Sequence, residues 1–541
     1  MIIIERSYKV LNDCRGMYEQ EIINTILEQR KISDVEHFLN PNKDDLLPLD
    51  SLGYVEEARA MIEDGLLDNK RFAIFFDTDL DGIASGTIMT RYLRNYTEKV
   101  NTYINHGKAH GLIGQDLSIF DNADIVIIVD SLDKDVSQYK LLRENGKDVI
   151  ILDHHIIDVE VDYDEYVTLI SSQRNYDNPE LSGAGVVWKF CKYLDESSLD
   201  DYADDLVDLA ACGILADVCD VSENSKENRY IIHSGLNNLK NPAIKKIVGS
   251  YDFNSKAILF SVAPLINASC RIGRNEAAMN LFLADDNKEV LALKKQLEEC
   301  KIIQNDELER LLPDVLKDLD SQSNMNVLYS FIETEYGISG LIGNKCLEIY
   351  NKPLFILKDC GDKYKGSMRS VGYGDFRKLC ADTNFATLNG HEQASGIDIH
   401  KKNIQEFIHA VDIKLSTMEK TTKDELEVDC EINLEDLTRT LVDKVKEINR
   451  ISGSGFKPLT FKIANIDNYD IGNFKQGKHL VIYPNDYIQM IQWNTHADFD
   501  EFENNALLNE PIEVIGELDS GFFSRKYVLK VITSEIKVGA T

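Results

Sequence analysis

The sequence predicts an α/β protein built on a doubly wound parallel sheet. Three observations carry the prediction. RFAIFF (71–76), ADIVIIV (123–129) and KDVIIL (147–152) are short unbroken apolar runs. Runs of that kind suit strands covered on both faces. Helical stretches lie between and after them, at 83–97 and 182–197, which is the alternation of a parallel sheet. Each run ends in an aspartate: Asp77, Asp130 and Asp153. In such sheets the ligand crevice lies at the carboxyl ends of the strands.

The elements follow in order. Residues 1–70 read as a helical lead-in, with FLNPNKDDLLPLD as a proline-punctuated loop. The main α/β domain takes 71–284. At 285–322, Leu293, Leu297, Cys300, Leu308, Leu311 and Val315 fall at helical spacing, predicting a long amphipathic connecting helix. A second, smaller α/β domain follows at 323–418, opening with NVLYSFIET. Residues 419–541 alternate apolar and polar in LTFKIANI, HLVIYP, PIEVIGEL and KYVLKVI, which predicts a small β-barrel. Tyr487 and Trp493 read there as core aromatics.

The chain has 541 residues and 59 basic against 92 acidic side chains, a net charge of −33. That excludes a generally basic nucleic-acid coat, so any polyanion must meet a local basic groove. Ten scattered cysteines form no CxxC pair, and MIIIERSYKV has no signal-peptide layout. No apolar run approaches the roughly 18 residues of a membrane span. The expectation is a cytoplasmic protein with no membrane partner.

The first strand end brings more than one acid: Asp77-Thr78-Asp79-Leu80-Asp81-Gly82, read as a tight acidic turn. Asp217, in the apolar helical stretch LAACGILADVCD, is a further candidate, because a charge there is costly unless paired or metal-bound. Four or more clustered carboxylates cannot all stay ionised and buried without a cation. Aspartate oxygens with the imidazoles of His154 and His155 suit Mn²⁺ or Mg²⁺ better than a thiolate-rich zinc site. Two such ions about 3.5–4 Å apart activate water and stabilise the leaving oxygen of a phosphoester. An EF-hand is excluded, since a strand precedes the acidic loop and no glutamate follows at the required place.

Asp153-His154-His155 resembles the naming motif of the DHH phosphoesterase superfamily. LSGAGVVWKF (181–190), ENRYIIHSGLNNL (227–239), SVAPLINASCRIG (261–273), GSMRS (366–370), NGHEQASG (389–396), ISGSGFKP (451–458) and GKHLVI (477–482) resemble, in the same order, segments of the RecJ-type single-strand exonucleases. The resemblance implies a DHH domain, a DHH-associated domain and an OB-type barrel. It implies Asp77, Asp79, Asp81, Asp130, His154 and Asp217 as ligands of two Mn²⁺ or Mg²⁺ ions, Asp130 as the bridge, and His155 beside the scissile phosphate. Asp153 would orient His154. Asn267 and Arg271, then Ser367, Arg369, Gly390 and His391, would hold the strand; Lys363 and Lys365 would add to a basic cluster with Arg369, and Lys256 to one with Arg271 and Arg274. The implied activity is 5′→3′ digestion of single-stranded DNA to mononucleotides in repair or recombination, with single-strand binding protein and a helicase as partners. Two other readings stay open: a DHH phosphodiesterase on short oligoribonucleotides or cyclic dinucleotides, and a catalytically silent RecJ-like binding protein in a replication complex. Departures from the family concern the strand contacts. His106, Lys108 and His110 are the basic residues of YINHGKAHGLIG, Asn344-Lys345 ends SGLIGNK, Asn389 replaces a glycine, and Asp133 adds an acid.

Overall fold

In a computed structural model the described residues are 7–106, 111–420, 425–474, 479–493, 511–523 and 526–538, so Lys108 and His110 lie outside them. The chain divides into two compact units, Met1–Val262 with Asp424–Thr541, and Ala263–Lys423.

The first described element of the first unit is a strand, β1 (Ser7–Asp13), where the sequence predicted only helix. Its partner lies more than 400 residues away, and no local pattern signals such a pairing. The central sheet follows: β2 (Phe72–Phe76), β3 (Val100–Ile104), β4 (Ile125–Val129), β5 (Asp148–Asp153) and β6 (Thr168–Ser171). Its order is β3-β2-β4-β5-β6, and every neighbouring pair is parallel. β2 and β4 are buried at every position, as continuous apolar runs require. From β2 the chain crosses to β3 on one side, then returns to β4 on the other. The strand order therefore reverses between β2 and β4, and open α/β sheets bind ligands at that switch point.

The second unit starts with the helices Ala263–Ile272 and Asn275–Leu283 and the long helix Asn287–Asp320. On the long helix Val290, Leu297, Cys300, Leu308, Leu311, Val315 and Leu319 are buried, and so is Gln304, a polar residue in an otherwise apolar stripe. Five strands follow: β7 (Leu328–Ile332), β8 (Leu354–Cys360), β9 (Lys363–Arg369), β10 (Ala386–His391) and β11 (Ala394–His400). They form a mixed sheet in the order β10-β11-β9-β8-β7. The helix Ser339–Tyr350 and the C-terminal half of the long helix pack on one face of it.

The C-terminal strands belong to the first unit. β12 (Glu425–Ile432), β13 (Phe461–Ile466), β14 (Asp470–Phe474), β15 (His479–Asn485), β16 (Ile488–Gln492), β17 (Ile512–Phe523) and β18 (Lys526–Val538) join β1 in the order β1-β12-β13-β17-β18-β16-β15-β14. β1 lies parallel to β12. A bidentate pair secures the lead-in to this sheet: Arg30 donates from Nε and Nη2 to the two oxygens of Asp429, each at 2.7 Å. Tyr487 and Trp493 are not core residues. They stand 67% and 46% exposed, because β15 and β16 bury Leu480, Ile482, Ile488 and Met490 and leave the turn and the strand end outside. No helix among the described residues is long and apolar enough to cross a membrane.

Candidate metal centre and basic cluster

β2 delivers Asp77 at its carboxyl end, and Asp79 caps the helix Leu80–Arg94 by accepting from the N–H of Gly82 at 3.0 Å. The acidic stretch is thus a strand end running directly into a helix, not a separate tight turn. Gly82 lies inside the first helical turn. A Cβ there would come within 2.6 Å of the Asp77 Cβ, so glycine lets the helix close onto the strand end.

Asp81, on that first turn, is buried. Its carboxylate accepts the N–H groups of Gly183 at 2.7 Å and Ala184 at 3.0 Å, at the start of the helix Gly183–Ser198. A helix N-terminus favours a negative charge. Asp130 follows β4 with φ of 53°, the left-handed region, which costs a non-glycine residue on the order of 1 kcal/mol. The bond from its N–H to the carbonyl of Leu152 holds it there. Asp217 ends the helix Val207–Ala216 as its C-cap.

These groups converge. Three overlapping trios of donor atoms each lie within 4.8 Å of one another: Asp77, Asp79 and Asp130; Asp81, His154 and Asp217; Asp130, His154 and His155. Asp130 and His154 each belong to two. His154 Nε2 is 3.2 Å from Asp130 and 3.8 Å from Asp81, while its Nδ1 is 3.6 Å from Asp217. The resemblance implies that Asp153 orients His154, but the hydrogen bonds of Asp153 go to His155 and Leu132 instead. Its Oδ1 accepts the N–H of His155 at 2.5 Å and pairs with His155 Nδ1 at 2.9 Å, and its Oδ2 accepts the Leu132 N–H at 2.8 Å. Just past the strand end, residue 155 turns its ring back over Asp153, and His154 points at the carboxylates.

The electrostatics match a site built for cations. Burial, and then the neighbouring Asp79, push Asp77 up to about 7. Burial and Asp81 push Asp217 up to about 7. Asp130 is raised well above the carboxylate range by burial, then by Asp81 and Asp79. Burial would lower His155, but the charge and hydrogen bond of Asp153, with Asp130, bring it up to about 10. Burial would likewise raise Asp153, yet His155 holds it below the usual range.

The residues fit divalent ions on structural grounds. Asp130 Oδ1 is buried and accepts no hydrogen bond. Glycines keep the space beside the oxygens open. A Cβ on Gly183 would lie 2.8 Å from Asp130 Oδ1, and one on Gly213 would lie 2.1 Å from Asp81 Oδ1. The donors are carboxylate oxygens and imidazole nitrogens, a hard set suited to Mn²⁺ or Mg²⁺.

Sequence reasoning missed Asn105 and Gln115. Asn105 directly follows β3, is fully buried, and points Nδ2 at Asp77 Oδ1, 3.5 Å away. Gln115 Nε2 donates to Asn105 Oδ1 at 2.8 Å, which fixes the amide's orientation. The signal was the strand-end position, hidden because TYI is not a clean apolar run. Asp133 braces a loop instead of joining the trios: its Oδ1 accepts the Asp135 N–H at 3.0 Å, and its Cβ lies 2.3 Å from where a Cβ on Gly111 would fall.

In the second unit Arg271 and Asn267 lie one turn apart on the helix Ala263–Ile272. Arg271 Nη1 donates to Gln304 at 3.1 Å, which explains the buried glutamine of the long helix. Ser367 Oγ is 2.8 Å from Ser339 Oγ, and Arg369 Nε donates to Asn344 at 2.5 Å. β-sheet register brings the rest of the predicted residues alongside. Asn389 pairs with Gly396 and that with Ser367; His391 pairs with Ala394 and that with Arg369. Directly opposed residues share a face, so Asn389, His391, Ser367 and Arg369 lie on one side of the sheet. Gly390 has φ of 123°, a conformation that requires glycine. Burial and Arg271 lower both Arg369 and Lys301, a half-buried lysine one turn before Gln304. None of these three cations pairs with a carboxylate among the described residues. Lys365 and Lys256 do not extend this charge: Lys365 pairs with Asp398 at 3.0 Å, and Lys256 pairs with Glu517.

Residues 71–214 match the DHH family, N-terminal domain. The SPbeta prophage-derived protein YorK of Bacillus subtilis is 28% identical over 437 residues, covering 73% of this chain and 74% of that one. The single-stranded-DNA-specific exonuclease RecJ of Bacillus subtilis is 25% identical over 474 residues, covering 83% of this chain and 59% of its own. Among solved structures, RecJ of Thermus thermophilus in complex with Mn²⁺ superposes with a TM-score of 0.78 at 21% identity, over 99% of this chain and 80% of that one.

Proposed function

We propose that this RecJ-like chain, which carries a DHH-family domain at residues 71–214, is a metal-dependent nuclease that hydrolyses phosphodiester bonds of single-stranded DNA. The observation that carries the reading is the sharing of Asp130 and His154 among three trios of donor atoms at the switch point of the sheet. The relatives named as single-stranded-DNA-specific exonucleases support it.

Asp77, Asp79, Asp81, Asp130, His154 and Asp217 would hold two Mn²⁺ or Mg²⁺ ions, Asp130 belonging to two of the donor trios. When bound, the ions lower the pKa of an attacking water and neutralise charge on the reacting phosphate. The chain's own residues do the rest. Asp153 takes the Nδ1–H of His155, which would leave the protonated Nε2 of the ring for the phosphate. The raised pKa of His155 keeps that proton in place at neutral pH. Asn267, Arg271, Ser367, Arg369, Gly390 and His391 hold the strand's phosphates and neighbouring nucleotides; Arg271 and Arg369, which no carboxylate among the described residues neutralises, supply the charge. In finer detail the reading is 5′→3′ release of mononucleotides in repair or recombination in the cytoplasm, alongside single-strand binding protein and a helicase.

The test is digestion of end-labelled single-stranded DNA with Mn²⁺, beside an Asp130→Ala variant and RNA of the same sequence. Mononucleotides released from the 5′ end, only with metal and only with Asp130 intact, are expected. Intact DNA with cleavage of a short RNA or a cyclic dinucleotide would overturn the choice of substrate. Binding without cleavage of anything would overturn the catalytic reading.

A further inference from the structure

Residues 239–262 break with the charge of the rest of the chain. In a sequence with 92 acidic and 59 basic residues, this stretch holds Lys240, Lys245, Lys246 and Lys256 against one acid, Asp252. Lys240 pairs with Asp205 at 3.5 Å, Lys256 pairs with Glu517, and Asp252 pairs with Lys446 at 3.4 Å. Lys245 and Lys246 remain. Both are exposed on the helix Pro242–Val248, and neither meets a carboxylate among the described residues.

Against that helix packs a π-helical turn, Ile258–Val262. Such turns are rare and concentrate at functional sites. Ile258 and Val262 anchor this one in the core, and Phe260 between them stands 77% exposed. Tyr251, three residues past the helix, is 79% exposed. This stretch therefore offers two exposed aromatic rings and, among the described residues, two exposed ammonium groups that no carboxylate meets.

We propose that this face of the first unit binds single-stranded nucleic acid, with Phe260 and Tyr251 stacking on bases and Lys245 and Lys246 holding phosphates. Isolated rings interleaved with cations suit a flexible strand, whose every base presents a π-face and whose backbone carries regular negative charge. In a chain of −33, a stretch of four lysines against one acid, with Lys245 and Lys246 meeting no carboxylate among the described residues, suits an anionic partner. The proposal rests on the nuclease reading only in taking the strand to be the substrate's uncut portion.

The test uses the full chain in EDTA and measures fluorescence anisotropy with a long (about 30-nucleotide) and a short (about 6-nucleotide) oligothymidylate. The variants are Phe260→Ala with Tyr251→Ala, and Lys245→Ala with Lys246→Ala. Each pair should weaken binding of the long strand at least tenfold, while hydrolysis of the short strand with Mn²⁺ stays at the wild-type rate. The lysine pair should also flatten the logarithmic salt dependence by about 1.4, at about 0.7 per single-strand phosphate. Unchanged affinity in both pairs overturns the proposal. So does binding of polyglutamate that depends on these residues while that of the strand does not, which would make the partner an acidic protein. If the wild type hydrolyses nothing but binding still depends on the four residues, the nuclease reading falls and this surface stands. If hydrolysis proceeds and binding ignores them, the reverse holds.

Discussion

Asp153 and His155 form a closed pair at the end of β5: one carboxylate oxygen takes both the backbone N–H and the Nδ1 of the same histidine, at 2.5 and 2.9 Å. The carboxylate is fully buried, and its other oxygen is fixed by the Leu132 N–H. An asparagine cannot serve both donors of His155 and Leu132 as an anion does. Asp153→Asn should lower kcat on single-stranded DNA by about 10–100-fold. Mn²⁺ affinity should change little, because His154 takes no bond from Asp153. A Mn²⁺ titration of kcat separates the two effects.

The glycines beside the carboxylates set the size of the centre. A methyl group on Gly213 would sit 2.1 Å from an oxygen of Asp81 and 2.5 Å from the Cβ of Ala184. Gly213→Ala should cost about 1–3 kcal/mol of stability through overpacking. It should also weaken Mn²⁺ binding at least tenfold, read by calorimetry and a melting curve. Gly249→Ala, at a position with open space but φ of 65°, is the control that loses stability without losing metal.

Without metal, the fold should lose stability as pH rises. Asp77 and Asp217 titrate near 7 when folded, against an ordinary value of 3.8, so the folded chain binds more protons than the unfolded one between about pH 4 and 7. Stability therefore falls through that window. His155, raised to about 10, adds stability that is full below pH 6.5 and is lost as pH rises through 10. Asp153, depressed when folded, adds stability lost only in strong acid. The metal-free melting temperature should drop by roughly 5 °C between pH 5.5 and 8.5, and saturating Mn²⁺ should remove most of the drop.

Asn105 makes a graded test of positioning. Its amide is locked by Gln115 and directed at Asp77. Asn105→Ala should raise the Mn²⁺ concentration for half-maximal activity by about tenfold with kcat restored at high metal. Gln115→Ala should do the same more weakly. A loss that excess Mn²⁺ cannot restore would show that Asn105 acts on something other than Asp77.

How much of this was legible beforehand depended on position in the sheet. β2 and β4 are buried at every position and β5 at all but its first, Asp148, so each presents an unbroken apolar run that leads visibly into an aspartate. β3 and β6 lie at the edges; VNTYI is half polar and TLIS is four residues long, so neither stands out. With β3 went Asn105. β1 escaped because its register is set against Glu425–Glu431, at the far end of the chain. The acids and histidines of the centre were all readable by residue type, but not which histidine Asp153 would take, since adjacent residues past a strand end point in different directions. The roles of Gly183 and Gly213 depend on helices meeting side chains about 50 to 130 residues away, which spacing cannot reveal.

The central proposal is that these residues would hold two divalent ions served in common by Asp130, and Mn²⁺ binding tests it most directly. Calorimetry together with electron paramagnetic resonance on the full chain should give two ions bound, with magnetic coupling between them that disappears in Asp130→Ala. One ion, or two uncoupled ions bound equally well without Asp130, would contradict it.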